Sequence, residues 1–365
     1  MSRDATIAAL TPLARLRDEL CAALAACPAR RVPPAEAIGA ILAEDVVAAA
    51  AVPAAPLALI AGHAVASLDT VGASPYAPAT PSRTAPVGAG AALPAGCDAV
   101  VPAEAIGFDF GFVTVQQAVA PGDGIRRTGE DVAAGSRLAT AGTPITPRLA
   151  LILDASGCAS VAIRRPRVAL RHGAGTAAAA RFLAATLGDA AEVSLGDLAD
   201  PSPAADLVLF LGGAEIGGDD PALAVLASTG IRLGHGLALT VAESLAWGTI
   251  ADRPALVLPS RPEAVIVIAA ALVEPALTAA ATTPAPPAET RALARKLVSR
   301  VGMSEIALLA RDGDLWRPLA TGDLPWWAIA TADALVELPP ESEGHAAGTP
   351  LAARLLTRRP LRSNV

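Results

Sequence analysis

The chain has 365 residues, more than one ordinary core accommodates, so two to four domains are expected. Its formal net charge of −7 excludes a general affinity for nucleic acid, which needs a basic surface, and any anionic ligand would need a local positive site. Hydrophobic residues make up 53% but aromatics only 3%, which assigns the cores mainly to Ala, Val and Leu.

Lys296 is the only lysine, and arginine carries the rest of the positive charge. Cys21, Cys27, Cys97 and Cys158 form no CxxC pair and no ligand spacing with the histidines, so reduced thiols in a cytoplasmic protein are expected. The start, Met1-Ser2-Arg3-Asp4, lacks the basic-then-apolar order of a signal peptide. The longest apolar run, 264–273, lies between Glu263 and Glu274 and is too short to span a bilayer. A soluble protein is the expectation.

Leu10, Leu13, Leu16, Leu20 and Leu24 recur at helical spacing, which predicts an amphipathic helix over 5–27. Its wide apolar stripe asks for a covering surface. Pro33-Pro34 closes a turn, and 35–42 reads as a second short helix. From Val52 to about Asp131, short apolar runs are broken by Pro, Gly and Ser. Residues 99–101 and 113–115 are strand-like there, so a small β-rich insertion is expected. A helix over 147–155 opens on a favoured proline.

From Pro166 strands and helices alternate: strands at 167–171, 205–211 and 255–258, helices at 175–187, 221–228 and 262–280. This pattern argues for a parallel sheet covered on both faces. Thr282-Thr283-Pro284-Ala285-Pro286-Pro287 reads as a stiff linker. Beyond it, short strands at 306–309, 334–338 and 352–356 suggest a small β-barrel or sandwich.

Two segments carry the chemistry. In 121–135, four glycines mark turns around Arg126, Arg127, Glu130 and Asp131. Such a cluster either neutralises itself in a solvated turn or holds an anion and a metal ion together. Upstream stands Leu93-Pro94-Ala95-Gly96-Cys97-Asp98-Ala99-Val100-Val101-Pro102-Ala103-Glu104. In this order and spacing the two resemble the molybdopterin molybdenumtransferase family, which includes the E domain of gephyrin and inserts molybdate into adenylylated molybdopterin. Residues 31–39 and 42–46 resemble its opening region.

The resemblance implies a multidomain α/β plus β fold. A split helical and mixed first domain (1–52 and 133–165) would be interrupted by a β-rich insertion (53–132). A doubly wound parallel-sheet domain (166–281) binding molybdopterin and a small C-terminal β-barrel (288–365) would follow. It also implies an elongated homodimer.

The turn 211–220 is similar to the family's ligand-binding turn, with Gly212, Gly213, Gly217 and Asp220 retained. Glycines after a strand let backbone N–H groups approach a phosphate, although a plain tight connection is the default. An acid of the family is Gly218 here, followed directly by Asp219.

Other motifs depart from the family. Its Asp-Gly-Tyr-Ala-Val is Ala61-Gly62-His63-Ala64-Val65, and its Phe-Asp-Asn-Ser is Ala55-Pro56-Leu57-Ala58. Thr-Gly-Ala-Pro-Leu-Pro becomes Ala89-Gly90-Ala91-Ala92-Leu93-Pro94. Thr-Gly-Asp-Glu-Leu becomes His172-Gly173-Ala174-Gly175-Thr176. Lys-Pro-Gly-Lys becomes Thr240-Val241-Ala242-Glu243, which is more than an exchange of lysine for arginine. Leu-Pro-Gly-Asn-Pro becomes Leu258-Pro259-Ser260-Arg261-Pro262.

The expected site is therefore Asp131 and Asp220 as catalytic acids, with Gly212, Gly213, Gly217, Pro259, Ser260, Arg261 and Pro262 binding ligand. No metal set is assigned, and a Mg²⁺ site would be short of carboxylates. The expected role is binding of molybdopterin or its adenylate, or of a molybdoenzyme or cofactor-synthesis partner, with little or no transferase activity. The alternatives are an active transferase using Asp219, Asp220, Glu215 and Glu130, and a scaffold that keeps only the fold. Asp98 is expected to cap a turn, His63 and His172 to be packed or surface residues, and Trp326-Trp327 to pack in a core or interface.

Overall fold

Leu207–Gly212, six consecutive buried residues, forms the centre of a mixed six-stranded sheet. The computed structural model describes residues 10–25, 28–200, 204–212, 220–281 and 286–356. The chain divides into two compact units, 1–30 with 39–43 and 162–365, and 31–38 with 44–161. Both combine helices with sheets, giving a mixed α/β protein.

In the first unit the sheet order is Glu192–Asp197, Arg167–His172, Leu207–Gly212, Arg253–Pro259, Ala246–Ile250, Ile231–His235. The first four strands are mutually parallel, Ala246–Ile250 runs against them, and Ile231–His235, antiparallel to that strand, runs with them again, so the expected parallel sheet is corrected to a mixed one. The change of direction comes from the two-residue turn Ala251-Asp252, whose φ values are 47° and 61°. Two positive φ values in succession match the right-handed twist of a hairpin and reverse the chain tightly.

Alternate residues of the central strand face opposite layers. Leu207, Leu209 and Leu211 share a core with Leu16, Leu20, Val265 and Leu272, while Val208 and Phe210 pack with Ala222 and Leu226 on the other side.

The amphipathic helix runs over Leu13–Ala25, after Thr11–Pro12 pairs with Leu237–Ala238; residues 1–9, 26 and 27 of the expected span lie outside the described residues. Leu13, Leu16, Leu20 and Leu24 are buried in the same unit's core. The apolar stripe is thus covered within the chain, and its need for a second subunit's surface disappears.

Pro262–Ala281 is one continuous helix with a π-helical turn at Ala269–Val273. Its 20 residues and mean hydropathy of 2.1 suffice, by length and composition, to cross a membrane. Ala264, Ile268, Leu272, Val273 and Leu277 are instead buried, which is how a core helix spends its hydropathy. Ala288–Leu293, Leu315–Thr321, Glu305–Asp312, Ala334–Leu338 and Pro350–Leu355 close a barrel around Trp316 and Leu309.

The second unit holds a three-stranded sheet, Thr84–Val87, Gly62–Val65, Ala99–Pro102, and a hairpin of Ile106–Asp109 with Phe112–Val115. Phe108, Phe110 and Phe112 all stand exposed on that hairpin. The helix Pro147–Ala155 begins where expected, and Thr146 Oγ1 accepts from Leu149 N at 3.1 Å.

The second helix predicted over 35–42 does not form. Glu36 N and Ala37 N both donate to Pro33 O in a turn, Gly39 adopts φ 85°, and Ile41–Leu42 pairs as a strand with Ile163 and Arg164. A segment this short nucleates no helix without tertiary support.

Candidate functional site

Two clusters contain the residues singled out in the sequence, one in each unit. In the second unit the structure joins the two family-like segments. Gly122 N donates to Asp98 O at 2.8 Å, and Val100 N donates to Asp123 O at 2.9 Å. Gly122, Gly124, Gly129 and Gly135 all have positive φ, as their turns require. Ile125–Arg126 pairs with Leu57–Ala58, and Asp131 N and Val132 N donate to Val52 O, so 52–58 runs beside 125–132.

Asp131 Oδ2 sits 3.2 Å from Arg126 Nη1, and both side chains are nearly half exposed. Glu130 Oε2 accepts from Arg127 N at 2.7 Å, while Arg127 Nη2 donates to Pro121 O at 3.2 Å. The charges satisfy one another locally. Among the described residues there is no group of three or more His, Cys, Asp or Glu that could hold a metal ion. In this cluster the carboxylates of the Glu130-Asp131 pair are engaged by Arg127 N and Arg126, which leaves them no shared point for a metal ion.

Asp98 does cap a turn, but a neighbouring one. Its carboxylate accepts from Ser67 N at 2.6 Å and from Ser67 Oγ at 2.9 Å. Ala61 is exposed, and His63 lies on Gly62–Val65 with Nδ1 buried and without a hydrogen-bond partner. Cys97 is a free thiol; burial raises its pKa most, nearby Arg83 offsets part of that, and Asp98 and Asp69 add to it. Its alkylation by iodoacetamide at pH 8 is accordingly expected to run slower than that of free cysteine, followed by mass spectrometry of the peptide. A faster rate would contradict the burial argument.

In the first unit, Gly212 and Pro259 are register partners at the carboxyl ends of adjacent parallel strands. Ligands of open α/β sheets sit at such ends. A Cβ on Gly212 would lie 2.6 Å from both Asp220 carboxylate oxygens and 2.8 Å from Ala222 Cβ, so only glycine fits. Asp220 is 7% exposed, and its Oδ1 accepts from Ala222 N at 2.8 Å, which caps Pro221–Thr229. Gly213, Glu215, Gly217, Gly218 and Asp219 lie outside the described residues.

Arg253–Pro259 ends at Ser260, and Arg261 precedes the proline that opens the next helix. Arg261 Nη2 donates to Val241 O at 3.1 Å, and its Nη1 lies 3.4 Å from Glu263 Oε1. Val241 has φ 65°, an outlier for a β-branched residue, where the family's Lys-Pro-Gly-Lys stretch aligns. Thr240 Oγ1 lies 3.4 Å from Glu305 Oε1, and Ala242 is fully buried.

His172 is partly buried, its Nδ1 3.0 Å from Gly173 O. Trp326 and Trp327 are exposed by 69% and 58%, so of the two expected packings, core or interface, the core of this chain is excluded. Trp326 Nε1 reaches Glu263 Oε2 at 3.4 Å.

Arg171 escaped the sequence reading. It is 6% exposed, and its Nε and Nη1 reach the main-chain oxygens of Asp200, Leu170 and Ser194 at 3.3–3.5 Å. The signal was a lone arginine ending the apolar run Val168-Ala169-Leu170.

Residues 11–157 match the model of the MoeA N-terminal region, domains I and II. A molybdopterin molybdenumtransferase 2 of Mycobacterium tuberculosis is 29% identical, over 91% of this chain and 96% of that protein. A molybdopterin molybdenumtransferase of Bacillus subtilis is 34% identical over 35% of each chain. The fold is that of a molybdopterin biosynthesis MoeA protein from Pyrococcus horikoshii, with a TM-score of 0.65 at 22% identity over 95% of this chain and 99% of that one. A molybdenum cofactor biosynthesis protein from Pyrococcus furiosus is similar at TM-score 0.56, with 17% identity over 95% of this chain and 100% of that one. Residues 11–157 thus carry the MoeA N-terminal region, and over 91% of its length the chain is similar to a molybdopterin molybdenumtransferase, which makes it a MoeA-like protein of molybdenum-cofactor biosynthesis.

Proposed function

We propose that this chain binds molybdopterin or its adenylate in molybdenum-cofactor synthesis and has little or no transferase activity. The observation that carries the reading is the use already made of its two retained acids. Asp131 is paired with Arg126, and Asp220 caps a helix. Metal-assisted insertion of molybdate needs several carboxylates converging on one ion, and Ala61, Ala174 and Gly175 stand where the family has acids.

With adenylylated molybdopterin, molybdate and Mg²⁺, the purified protein is expected to turn over about 100-fold or more slowly than an intact family member, since loss of even outer-shell metal partners costs 10–100-fold. A comparable rate would overturn the reading and favour an active transferase with rearranged ligands.

The pterin phosphate is proposed to lie at the carboxyl ends of the strands, against Gly212 and 259–262, with Gly213 and Gly217 as further ligand-binding residues. Arg261 and backbone N–H groups supply the positive field there. Arg261→Glu should weaken binding by about 1–3 kcal/mol, toward the low end because the side chain is 61% exposed. Calorimetry with molybdopterin tests this; unchanged affinity places the ligand elsewhere, and no binding by the unaltered protein favours a scaffold.

The proposal keeps the four-part division of the chain, a cytoplasmic setting and a homodimer, with a molybdoenzyme or cofactor-synthesis protein as partner. Support for pairing now rests on the family and on the exposed Phe108, Phe110 and Phe112. Light scattering should give twice the 36.3 kDa chain mass; a monomer at micromolar concentration would count against the dimer.

A further inference from the structure

At the amino ends of the parallel strands, opposite the carboxyl-end cluster, lies a cavity of about 100 Å³. Arg30, Arg164, Arg165 and Arg167 line it, with Asp206 between the starts of two strands. All of these residues belong to the first unit.

Two of the four guanidinium groups are compensated. Arg30 pairs with Glu192, and Arg167 Nε lies 3.4 Å from Asp206 Oδ2, whose second bond comes from Arg167 N at 2.8 Å. Arg165 Nη2 donates to the main-chain Gly188 O at 2.8 Å. Neither Arg164 nor Arg165 has a carboxylate within ion-pair distance among the described residues. Four cations against two carboxylates leave the cavity about two charges positive, in a chain whose net charge is −7.

A second, independent feature points to a ligand. Arg30 Nε and Arg165 Nε are both buried and have no hydrogen-bond partner. A buried donor left unpaired is costly, and two on arginines lining one cavity are the signature of an absent acceptor. The acceptor must be small, doubly negative and rich in oxygen, because guanidinium forks match such groups geometrically. Water can fill the space and accept from single donors, but it balances no charge.

We infer that the cluster Arg30, Arg164, Arg165 and Arg167 is a binding site for a tetrahedral oxyanion of the phosphate class, separate from the carboxyl-end site. The anion accepts from the free Nε atoms and neutralises the two unpaired guanidiniums. Because it ties the start of one strand to the segment before it and the loop after a helix, its binding also stabilises this end of the sheet.

Calorimetric titration with inorganic phosphate at low ionic strength tests the site. Saturable binding is expected in the unaltered protein, weakened tenfold or more in Arg164→Gln and in Arg165→Gln, and retained in Arg261→Glu at the other end of the sheet. Titration with adenosine monophosphate separates the sources: tighter binding than phosphate assigns the site to a phosphate ester, weaker binding to the free anion. No saturation up to 10 mM, or loss in Arg261→Glu with retention in the two glutamine variants, overturns the proposal. Should the variants fail to fold, crystals of the unaltered protein soaked in tungstate decide: an anomalous peak in this cavity supports the site, and its absence refutes it.

Discussion

Trp316→Ala is expected to lower the stability of the C-terminal barrel by about 3–5 kcal/mol, the usual cost of truncating a fully buried tryptophan. Trp316 has no exposed surface and packs with Leu293, Leu309, Leu338 and Leu351. Its Nε1 donates to Leu351 O at 3.2 Å, linking Leu315–Thr321 to a strand not adjacent in the barrel order. The Arg291 guanidinium lies 5.4 Å from the ring centroid and adds a smaller cation–π attraction. Truncation would leave a cavity, an unpaired carbonyl and a cation without its ring. Trp316→Phe keeps most of the volume and should lose only about 1–2 kcal/mol. Hydrogen exchange of Ala288–Leu293 and Pro350–Leu355 reads the barrel's own opening energy in a chain that need not unfold in one step. A loss below about 1 kcal/mol in the alanine variant would show that Trp316 does not organise this core.

Much of the fold was readable where one principle acted alone. Leu207–Gly212 and the last five residues of Arg253–Pro259 are runs of apolar residues buried on both faces, and such runs advertise central strands without help from their surroundings. Pro147–Ala155 and Pro221–Thr229 announce themselves through a capping residue followed by proline at the first helical position. The edge strand Glu192–Asp197 was passed over because it mixes Ser, Gly and two acids with its apolar residues, which reads as a loop. The hairpin Ala246–Ile250 to Arg253–Pro259 was missed because its Ala251-Asp252 turn carries neither Asn nor Gly.

The candidate site was legible as sequence motifs but not as chemistry. Asp220-Pro221 is itself a helix-start signal, and the structure places the carboxylate on that helix's backbone. Asp131 and Arg126 were visible as neighbours in sequence, so either a turn or an ion site was possible; the pairing distance of 3.2 Å shows the turn. The arginine-lined cavity was out of reach in principle. Arg164-Arg165-Pro166-Arg167 is contiguous, yet Arg30, Glu192 and Asp206 come from three other segments that only the sheet brings together.

Glu305→Ala is expected to cost about 3 kcal/mol and to loosen the loop that replaces the family's lysine-bearing stretch. Glu305 is 2% exposed at the start of Glu305–Asp312. Its Oε2 accepts from Ser299 Oγ and from Arg300 N, both at 2.9 Å, and its Oε1 lies 3.4 Å from Thr240 Oγ1. Removing the carboxylate strands these donors, of which Ser299 is itself buried, at about 1–3 kcal/mol for each well-made bond. Part of that is returned, because an alanine has no charge to desolvate. Glu305→Gln keeps the shape but turns one acceptor into a donor, so it should fall between the alanine variant and the unaltered protein. Thr240 N also donates to Ser304 O at 3.0 Å, so a shift at 304–305 reaches Thr240 and Val241, whose carbonyl accepts from Arg261. The expected result is a lower urea midpoint together with faster hydrogen exchange at Thr240–Glu243, while the helix Pro147–Ala155 in the other unit keeps its protection. If Glu305→Ala were as stable as the unaltered chain, the buried carboxylate would have to be repaying less than its own desolvation, and its hydrogen bonds would not be what holds the loop.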